Sequence, residues 1–334
     1  MKIITEYQKI DRTQWSVLVS DSAVSTWFQS VEAYNFYASL PKSLEPFVLA
    51  VEDKECLDGI VVGYVTKEKN ILRQFFTRRA IIIGGPVLAD KITNNELSLL
   101  LQSLKNYLRG KAIYIETRNF NDYSKWRNVF ESCGFSYEPH LDVQVDCSDW
   151  NKLESNIGKH RKKYIRLSLR DGASIVQSPS IDQVREFYFI LDELYRTKVK
   201  TPLYPWIFFE NLFRLKSSKF FLVEYNGRIV GGSACVLIEG KGLYEWYACG
   251  KDGIYKNIHP SSVVKYAGLR YACDNRLVLF DMMGAGKPNE KYGVRDFKLE
   301  FGGVIVEYGR YKYIDNQLLY HIGKIGLNFL KFFT

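Results

Sequence analysis

At 334 residues the chain is about twice the length of a common domain, so two cores are expected rather than one. Its composition, 46% hydrophobic, 15% aromatic and 25% charged, excludes a disordered, collagen-like or low-complexity chain. The 46 Lys and Arg against 37 Asp and Glu leave a formal charge of +9, which favours anionic partners such as phosphates, nucleic acid or acidic lipid without choosing among them.

Charges at Lys2, Glu6 and Lys9 interrupt the apolar residues of the N-terminus, so no secretory signal is read there and the cytoplasm is the expected compartment. The Cys at 56, 133, 147, 235, 249 and 273 form no C-x-x-C pair, and few His accompany them. Neither a disulfide framework nor a metal site is expected. Phe47 to Glu52 and Gly59 to Val65 read as a strand, loop, strand unit, followed by a helix from Asn94 to Leu108 and a strand from Ala112 to Glu116.

A boundary is expected near residue 150, dividing the chain into 1–150 and 151–334. Beyond it, Leu153 to Arg170 reads as a basic helix that Asp171-Gly172-Ala173 closes, and Ile181 to Tyr195 as another. The hairpin pattern then returns as Phe220 to Tyr225, the turn Asn226-Gly227, and Arg228 to Leu237. A helix from Ser261 to Cys273 and a strand from Leu277 to Asp281 follow in the same order as in the first half. The repeated order predicts an α/β fold with mixed sheets, built as two related domains in tandem.

Glu116 and Asp281 close the corresponding strands, where α/β proteins gather their chemistry, and each is a candidate proton acceptor or relay. The plainer alternative is a carboxylate that caps a turn or pairs with Arg118 or Arg295. Lys159, Lys163, Arg166 and Arg170 fall at i, i+4, i+7 and i+11, one helical face that Arg161 and Lys162 widen. That face suits an RNA backbone, or it is solvated surface. Gly284-Ala285-Gly286-Lys287-Pro288 lacks the spacing of a P-loop and reads as a substrate-side loop, with Gly286 and Lys287 as candidate contacts. At the end of the chain, Leu318, Ile322, Ile325, Phe329 and Phe332 form a helical apolar stripe opposite His321, Lys324, Asn328 and Lys331. The stripe is expected to dock on the protein body; the alternative is a helix lying on anionic lipid as a peripheral membrane contact.

A hairpin, a central strand, a helix and a further strand is the order of the GNAT acyltransferase fold, and two in tandem resembles the Fem family of aminoacyltransferases. The most specific residues are Met282 to Gly303, where Phe297-Lys298 and Phe301-Gly302 look like the family's Phe-Lys and Phe-Gly signature. Phe28-Gln29-Ser30, Gly84-Gly85-Pro86 and Gly134-Phe135 support it. The resemblance implies transfer of an amino acid from an aminoacyl-tRNA to an amine of a peptidoglycan or other envelope precursor. It implies no tightly bound cofactor and no metal, with charged tRNA as donor and the precursor as acceptor.

The resemblance also assigns roles. Lys298, beside Phe297, matches a lysine that steadies the carbonyl oxygen as it becomes negative, and an acid is common at the place of Glu116. Thr197 to Tyr204 resembles a segment carrying an arginine on the precursor's phosphates, with Lys200 standing in for it and Tyr204 beside it; Arg295 joins the substrate-binding candidates. Two departures stand out. Val31-Glu32-Ala33-Tyr34-Asn35-Phe36 replaces the family's Trp and phosphate-binding Lys, and the second half has no long charged segment that would form a coiled-coil arm. The alternative enzyme is an acyl-CoA-dependent N-acyltransferase acting on an amino sugar or another small amine, although Gly250 to Ser262 lacks the usual pyrophosphate turn. A third reading is a non-catalytic protein that binds RNA or a membrane surface.

Overall fold

The computed structural model describes residues 1–68 and 71–332, with 71–73 and 325–332 described as backbone only. Its first compact unit comprises Met1–His140 together with Tyr308–Thr334, and its second comprises Leu141–Glu307. The first unit holds β1 (Lys2–Ile4), β2 (Leu44–Asp53), β3 (Cys56–Thr66), β4 (Ala80–Ile83), β5 (Val87–Leu88), β6 (Tyr114–Arg118) and β7 (Ser136–Glu138). The second holds β8 (Leu141–Asp146), β9 (Ser174–Ile175), β10 (Ser218–Tyr225), β11 (Arg228–Ile238), β12 (Gly242–Gly250), β13 (Leu279–Asp281) and β14 (Val304–Glu307). The chain then returns to the first sheet with β15 (Arg310–Ile314).

The strand orders are β1-β2-β3-β4-β6-β15-β7, with β5 paired to β3, and β9-β10-β11-β12-β13-β8-β14. Place by place the two sheets agree. Each has an antiparallel hairpin, then a parallel pair, β4 with β6 and β12 with β13, then an antiparallel partner. That partner is supplied by the other half of the chain: β15, from the C-terminal end, flanks β6, and β8, from before residue 150, flanks β13. The division expected at residue 150 is therefore corrected. The alternation Leu141 to Val145 looks like the last strand of a first domain, but its hydrogen bonds go to β13 and β14.

Local chemistry accounts for the elements. Asn226 and Gly227 both have positive φ, 52° and 72°, as the two central residues of a tight hairpin turn require. Thr93 and Glu96 form a reciprocal capping box at the start of the helix Asn94–Leu108, whose Leu97, Leu100, Leu101, Leu104 and Leu108 pack in one core with Leu49, Val51 and Val61. The strands expected from Ala112 and Leu277 begin two residues later, because the amides of Ala112 and Leu277 still bond back to Leu108 and Ala272 at the ends of the preceding helices. The expected basic helix is two, Trp150–Asn156 and Lys159–Arg170, separated where the Gly158 amide donates to the Glu300 carbonyl at 2.8 Å.

The terminal helix Gln317–Phe332 packs on the first unit through Tyr320, edge-on to Tyr114 at 5.4 Å, and through Gly323, whose missing Cβ would meet the Phe76 carbonyl. Leu318 is 70% exposed and Ile322 42%. The remaining members of the expected apolar stripe, Ile325, Phe329 and Phe332, lie outside the residues with described side chains. Among the described residues no helix is long and apolar enough to cross a membrane, and no group of three or more His, Cys, Asp or Glu is placed to hold a metal ion.

Candidate active site

Parallel strands β12 and β13 pair only from Gly242 with Leu279 to Tyr244 with Asp281; β12 then continues to Gly250 while β13 stops. The end of a parallel pair, where one strand leaves the other, is where open α/β sheets place ligands. Asp281 sits at that end and is 0% exposed. Its Oδ2 accepts from Gln144 Nε2 at 2.9 Å and its Oδ1 from the Met283 amide at 2.6 Å. Burial disfavours its charge more than these bonds and Lys298 favour it, and the carboxyl is pushed up to about 6. A carboxyl so tuned can take and return a proton near neutral pH.

Lys298 lies on the short helix Gly293–Leu299 and is 8% exposed. Its ammonium donates to the carbonyls of Met282, Met283 and Gly284, at 2.6 Å for Met282 and 2.9 Å for Gly284. All three of its protons are engaged. Burial lowers its proton affinity to about 8, against the pull of Asp142 and Asp281. Three residues earlier, Arg295 donates to the carbonyls of Ala285, at 3.4 Å, Lys287, at 2.8 Å, and Glu290. Positions i and i+3 of one helix therefore staple consecutive parts of the segment 282–290. In this structure Arg295 anchors the loop, and the Lys298 ammonium is spent on backbone carbonyls. Phe297 stands edge-on to Phe301 at 5.1 Å under the Arg161 guanidinium, 4.4 Å from its centroid, and packs against the second unit's core.

Of the other substrate-side candidates, Gly286 and Lys287 lie in this segment. Gly286, at φ 78°, leaves room for the Tyr292 ring, which a Cβ would approach to 3.2 Å, and its carbonyl accepts from the Leu141 amide at 2.8 Å. Lys287 supplies a carbonyl to Arg295 and has an exposed side chain. Lys200 is exposed and left-handed, φ 54°, at the end of the wide turn Tyr195–Val199. Tyr204 stacks on Phe208 at 4.6 Å, and Phe208 meets Trp246 and Tyr247 of β12 edge-on. Burial, followed by Tyr292 and Cys249, raises the Tyr195 phenol to about 12.

Glu116 belongs to the first unit and differs sharply. It lies within β6, paired with Ile81 of β4 and Lys312 of β15. Arg118 Nε donates to it at 2.8 Å, Arg310 at 3.4 Å, and the Lys312 ammonium is 3.6 Å away. Burial alone would raise its pKa, but these three cations outweigh it and hold the carboxyl at about 2. Such a group is an anion at neutral pH, and its pairing with Arg118 is the plainer of the two arrangements expected for it.

Lys159, Lys163, Arg166 and Arg170 are all exposed on the helix Lys159–Arg170. Arg170 pairs with Asp171 at 2.6 Å, whereas Arg161 turns away from the patch to Glu300 at 3.0 Å. The helix Pro260–Asp274 has no side-chain cap; Ser261 donates to Asp252 instead, and Ser262 is buried, so neither serine caps it.

Sequence reading missed Asp142 and Gln144. Their alternation with Leu141, Val143 and Val145 resembles a strand with one wet face, yet both polar residues are buried, with the helix Gly293–Leu299 packed against β8. The paired staples Arg295 and Lys298 did leave a signal, two cations at helical spacing after a glycine-rich segment.

Two GNAT-type sheets in one chain, with the second parallel pair ending on a buried acid beside a Phe-Lys helix, define a Fem-like tandem GNAT fold. The solved structure of FemX shares it with a TM-score of 0.74 at 14% identity, covering 96% of this chain and 99% of that one. A tandem GNAT protein from the clavulanic acid biosynthesis pathway gives 0.58 at 8% identity over 94% and 98% of the two chains. L-PGS from Bacillus licheniformis gives 0.57 at 11% over 94% and 96%. No family model matches the sequence, and no curated protein matches it.

Proposed function

We propose that the chain is a Fem-like N-acyltransferase that moves an aminoacyl group from aminoacyl-tRNA to an amine of a cell-envelope precursor. The observation that carries this reading is Asp281, a buried carboxyl at the open end of β12 and β13 with a proton affinity near neutrality. The amine nitrogen attacks the ester carbonyl carbon, the bond from that carbon to the ribose oxygen breaks, and an amide forms. Asp281 takes the proton that the amine loses and returns it to the ribose oxygen, so the step closes with no co-reactant. Lys298 and Arg295 act as positioning residues by fixing the segment that follows Asp281. The exposed Lys159, Lys163 and Arg166, for which no ion pair occurs among the described residues, supply phosphate contacts for the tRNA. The aromatic group around Tyr204, with Lys200, takes the acceptor. No metal is needed for these steps.

A donor screen tests the reading. Purified protein is incubated with a mixed pool of charged tRNA or with acyl-CoA thioesters, together with amine-bearing envelope precursors or amino sugars, and amide products are read by mass spectrometry. Amide formation from charged tRNA that Asp281→Asn abolishes supports it. Transfer from the thioesters alone replaces it with an acyl-CoA-dependent enzyme, and RNA binding without turnover of any amine replaces it with a binding protein.

A further inference from the structure

The sheet of the second unit leaves one stretch of strand uncovered. β10 runs from Ser218 to Tyr225, yet β9 pairs with it only at Val223 and Glu224. The Val176 amide still donates to the Leu222 carbonyl at 2.9 Å, and the chain then leaves through Pro179 for the helix Ile181–Leu194. On the opposite side the Leu237 amide donates to the Ser217 carbonyl at 2.8 Å. Backbone direction alternates along a strand, so residues 217, 219 and 221 bond towards β11 while 218, 220 and 222 turn their backbone groups to the open edge. Ser218 satisfies its amide locally, on the Leu215 carbonyl at 3.3 Å. Phe220 is 7% exposed, and no strand or side chain among the described residues bonds its amide or carbonyl from that edge. Buried backbone groups normally have partners, and an uncovered strand edge is a template for one.

A cavity of about 410 Å³ lies along the same stretch, lined by Ser218 to Phe221 and by Ile175 to Gln177. Its two sides differ, because successive side chains of β10 point to opposite faces. On one face Phe220 meets Phe213, the last residue of the helix Trp206–Phe213, edge-on at 5.6 Å. That side is apolar. On the other, Phe221 meets Tyr271 edge-on at 5.4 Å, the Lys219 ammonium stands 5.7 Å from the centre of the same ring, and Arg270 joins the lining. Arg270 pairs with Asp274 at 3.1 Å, whereas Lys219 has no ion pair among the described residues. This side therefore keeps one uncompensated positive charge.

We propose that the open edge of β10 is a docking groove for an extended peptide segment of a partner protein, one that alternates acidic and apolar residues and adds to the sheet as a strand where β9 ends. Main-chain bonds to Phe220 supply the pairing, acidic side chains lie beside Lys219 and Arg270, and apolar ones lie against Phe213 and Phe220. Four open residues span about 13 Å at the rise of a strand, which sets the length of the pairing segment. The groove is built on other strands than the pair that ends at Asp281, so the proposal stands apart from the transfer reaction.

The test is a peptide titration of the full chain, read by NMR as backbone amide exchange. The probe is a six-residue peptide alternating glutamate and valine. Its controls alternate lysine and valine, or carry N-methyl groups on one or the other set of alternate amides. The glutamate peptide is expected to slow exchange of the Phe220 amide at least about tenfold, and the lysine peptide to bind about tenfold more weakly. One N-methyl set should abolish binding and the other spare it, because only every second amide faces β10. Lys219→Glu, at a half-buried position, should reverse the preference between the two peptides. Equal binding of both peptides, binding that leaves Phe220 exchange unchanged, or no binding of the glutamate peptide up to roughly 1 mM overturns the proposal. So does a folded Lys219→Glu protein that keeps the wild-type preference; if that variant does not fold, the wild-type titrations decide. A dimer of the free protein in sedimentation, with the Phe220 amide already protected, gives the edge to a second copy and likewise overturns it.

Discussion

Glu116 and Asp281 occupy the same place in two sheets of the same order. Each lies on the strand that pairs in parallel with the one after the hairpin, and each has an antiparallel neighbour supplied by the other half of the chain. Their chemistry is opposite. Glu116 faces Lys312 across to β15 and gathers Arg118 and Arg310, whereas Asp281 faces Gln144 across to β8 and is met by neutral donors. Fold position brings a carboxyl to the end of a parallel pair, and the residue opposite it decides whether that carboxyl is an anchor or an acid. In the first unit the place holds an ion-paired carboxylate and in the second a buried carboxyl met by neutral donors.

Substitution breaks this comparison most directly. Asp281→Asn is expected to cut transfer at least roughly a hundredfold, the usual worth of a positioned acid or base, while the amide keeps an acceptor for only one of the two donors that the carboxylate meets. Glu116→Gln leaves three cations around a neutral group and is expected to cost about 3 kcal/mol of stability in a urea titration. If Glu116→Gln spares stability and Asp281→Asn spares turnover, the two places are equivalent after all.

Acid titration of stability sharpens the same contrast. The Glu116 pKa is held below its unfolded value, so its contribution is fully present above about 4.5 and disappears as the pH falls towards about 2. Asp281 is raised above its unfolded value, so the fold loses stability as the pH rises from about 4 through about 6. Thermal midpoints against pH should lose the acid limb in Glu116→Gln and the fall between those upper values in Asp281→Asn. Transfer should likewise rise with pH through an acid limb near 6 and lose that limb with Asp281.

Smaller effects are expected from the staples. Lys298→Met leaves three backbone carbonyls without their donor, and Arg295→Leu releases three more. Each is expected to lower kcat/KM about tenfold and to speed amide exchange in 282–290, while β6 and its ion pairs keep wild-type protection. A loss of protection that spreads evenly through both sheets would show that these cations hold the whole unit and not the segment. The mildest change is the triple substitution of Lys159, Lys163 and Arg166 to Ala. It should weaken charged-tRNA binding and lower the slope of log affinity against log salt by about two, leaving kcat unchanged; an unaltered slope makes the patch solvated surface.

Much of this molecule was legible in the chain. The hairpins at Phe47 to Val65 and Phe220 to Leu237, the helices Asn94–Leu108 and Pro260–Asp274, and the tandem order itself follow from local signals: apolar periodicity, the Asn-Gly turn, and a Thr-x-x-Glu cap. The Phe-Lys signature falls on the helix Gly293–Leu299, and the charge of Asp281 is felt at Lys298. What sequence could not determine was partnership across the sheets. Whether Leu141 to Asp146 closes the first domain or enters the second depends on hydrogen bonds to β13 and β14, and a strand's own alternation is the same in either case. Two carboxylates in matching contexts were indistinguishable until Lys312 and Gln144 were placed opposite them. Lys298 and Arg295 looked like free cations because the carbonyls that occupy them leave no trace in side-chain identity. Local propensity and period are properties of neighbours in the chain; proton affinity and charge pairing belong to neighbours in space, and only the tertiary structure supplies those.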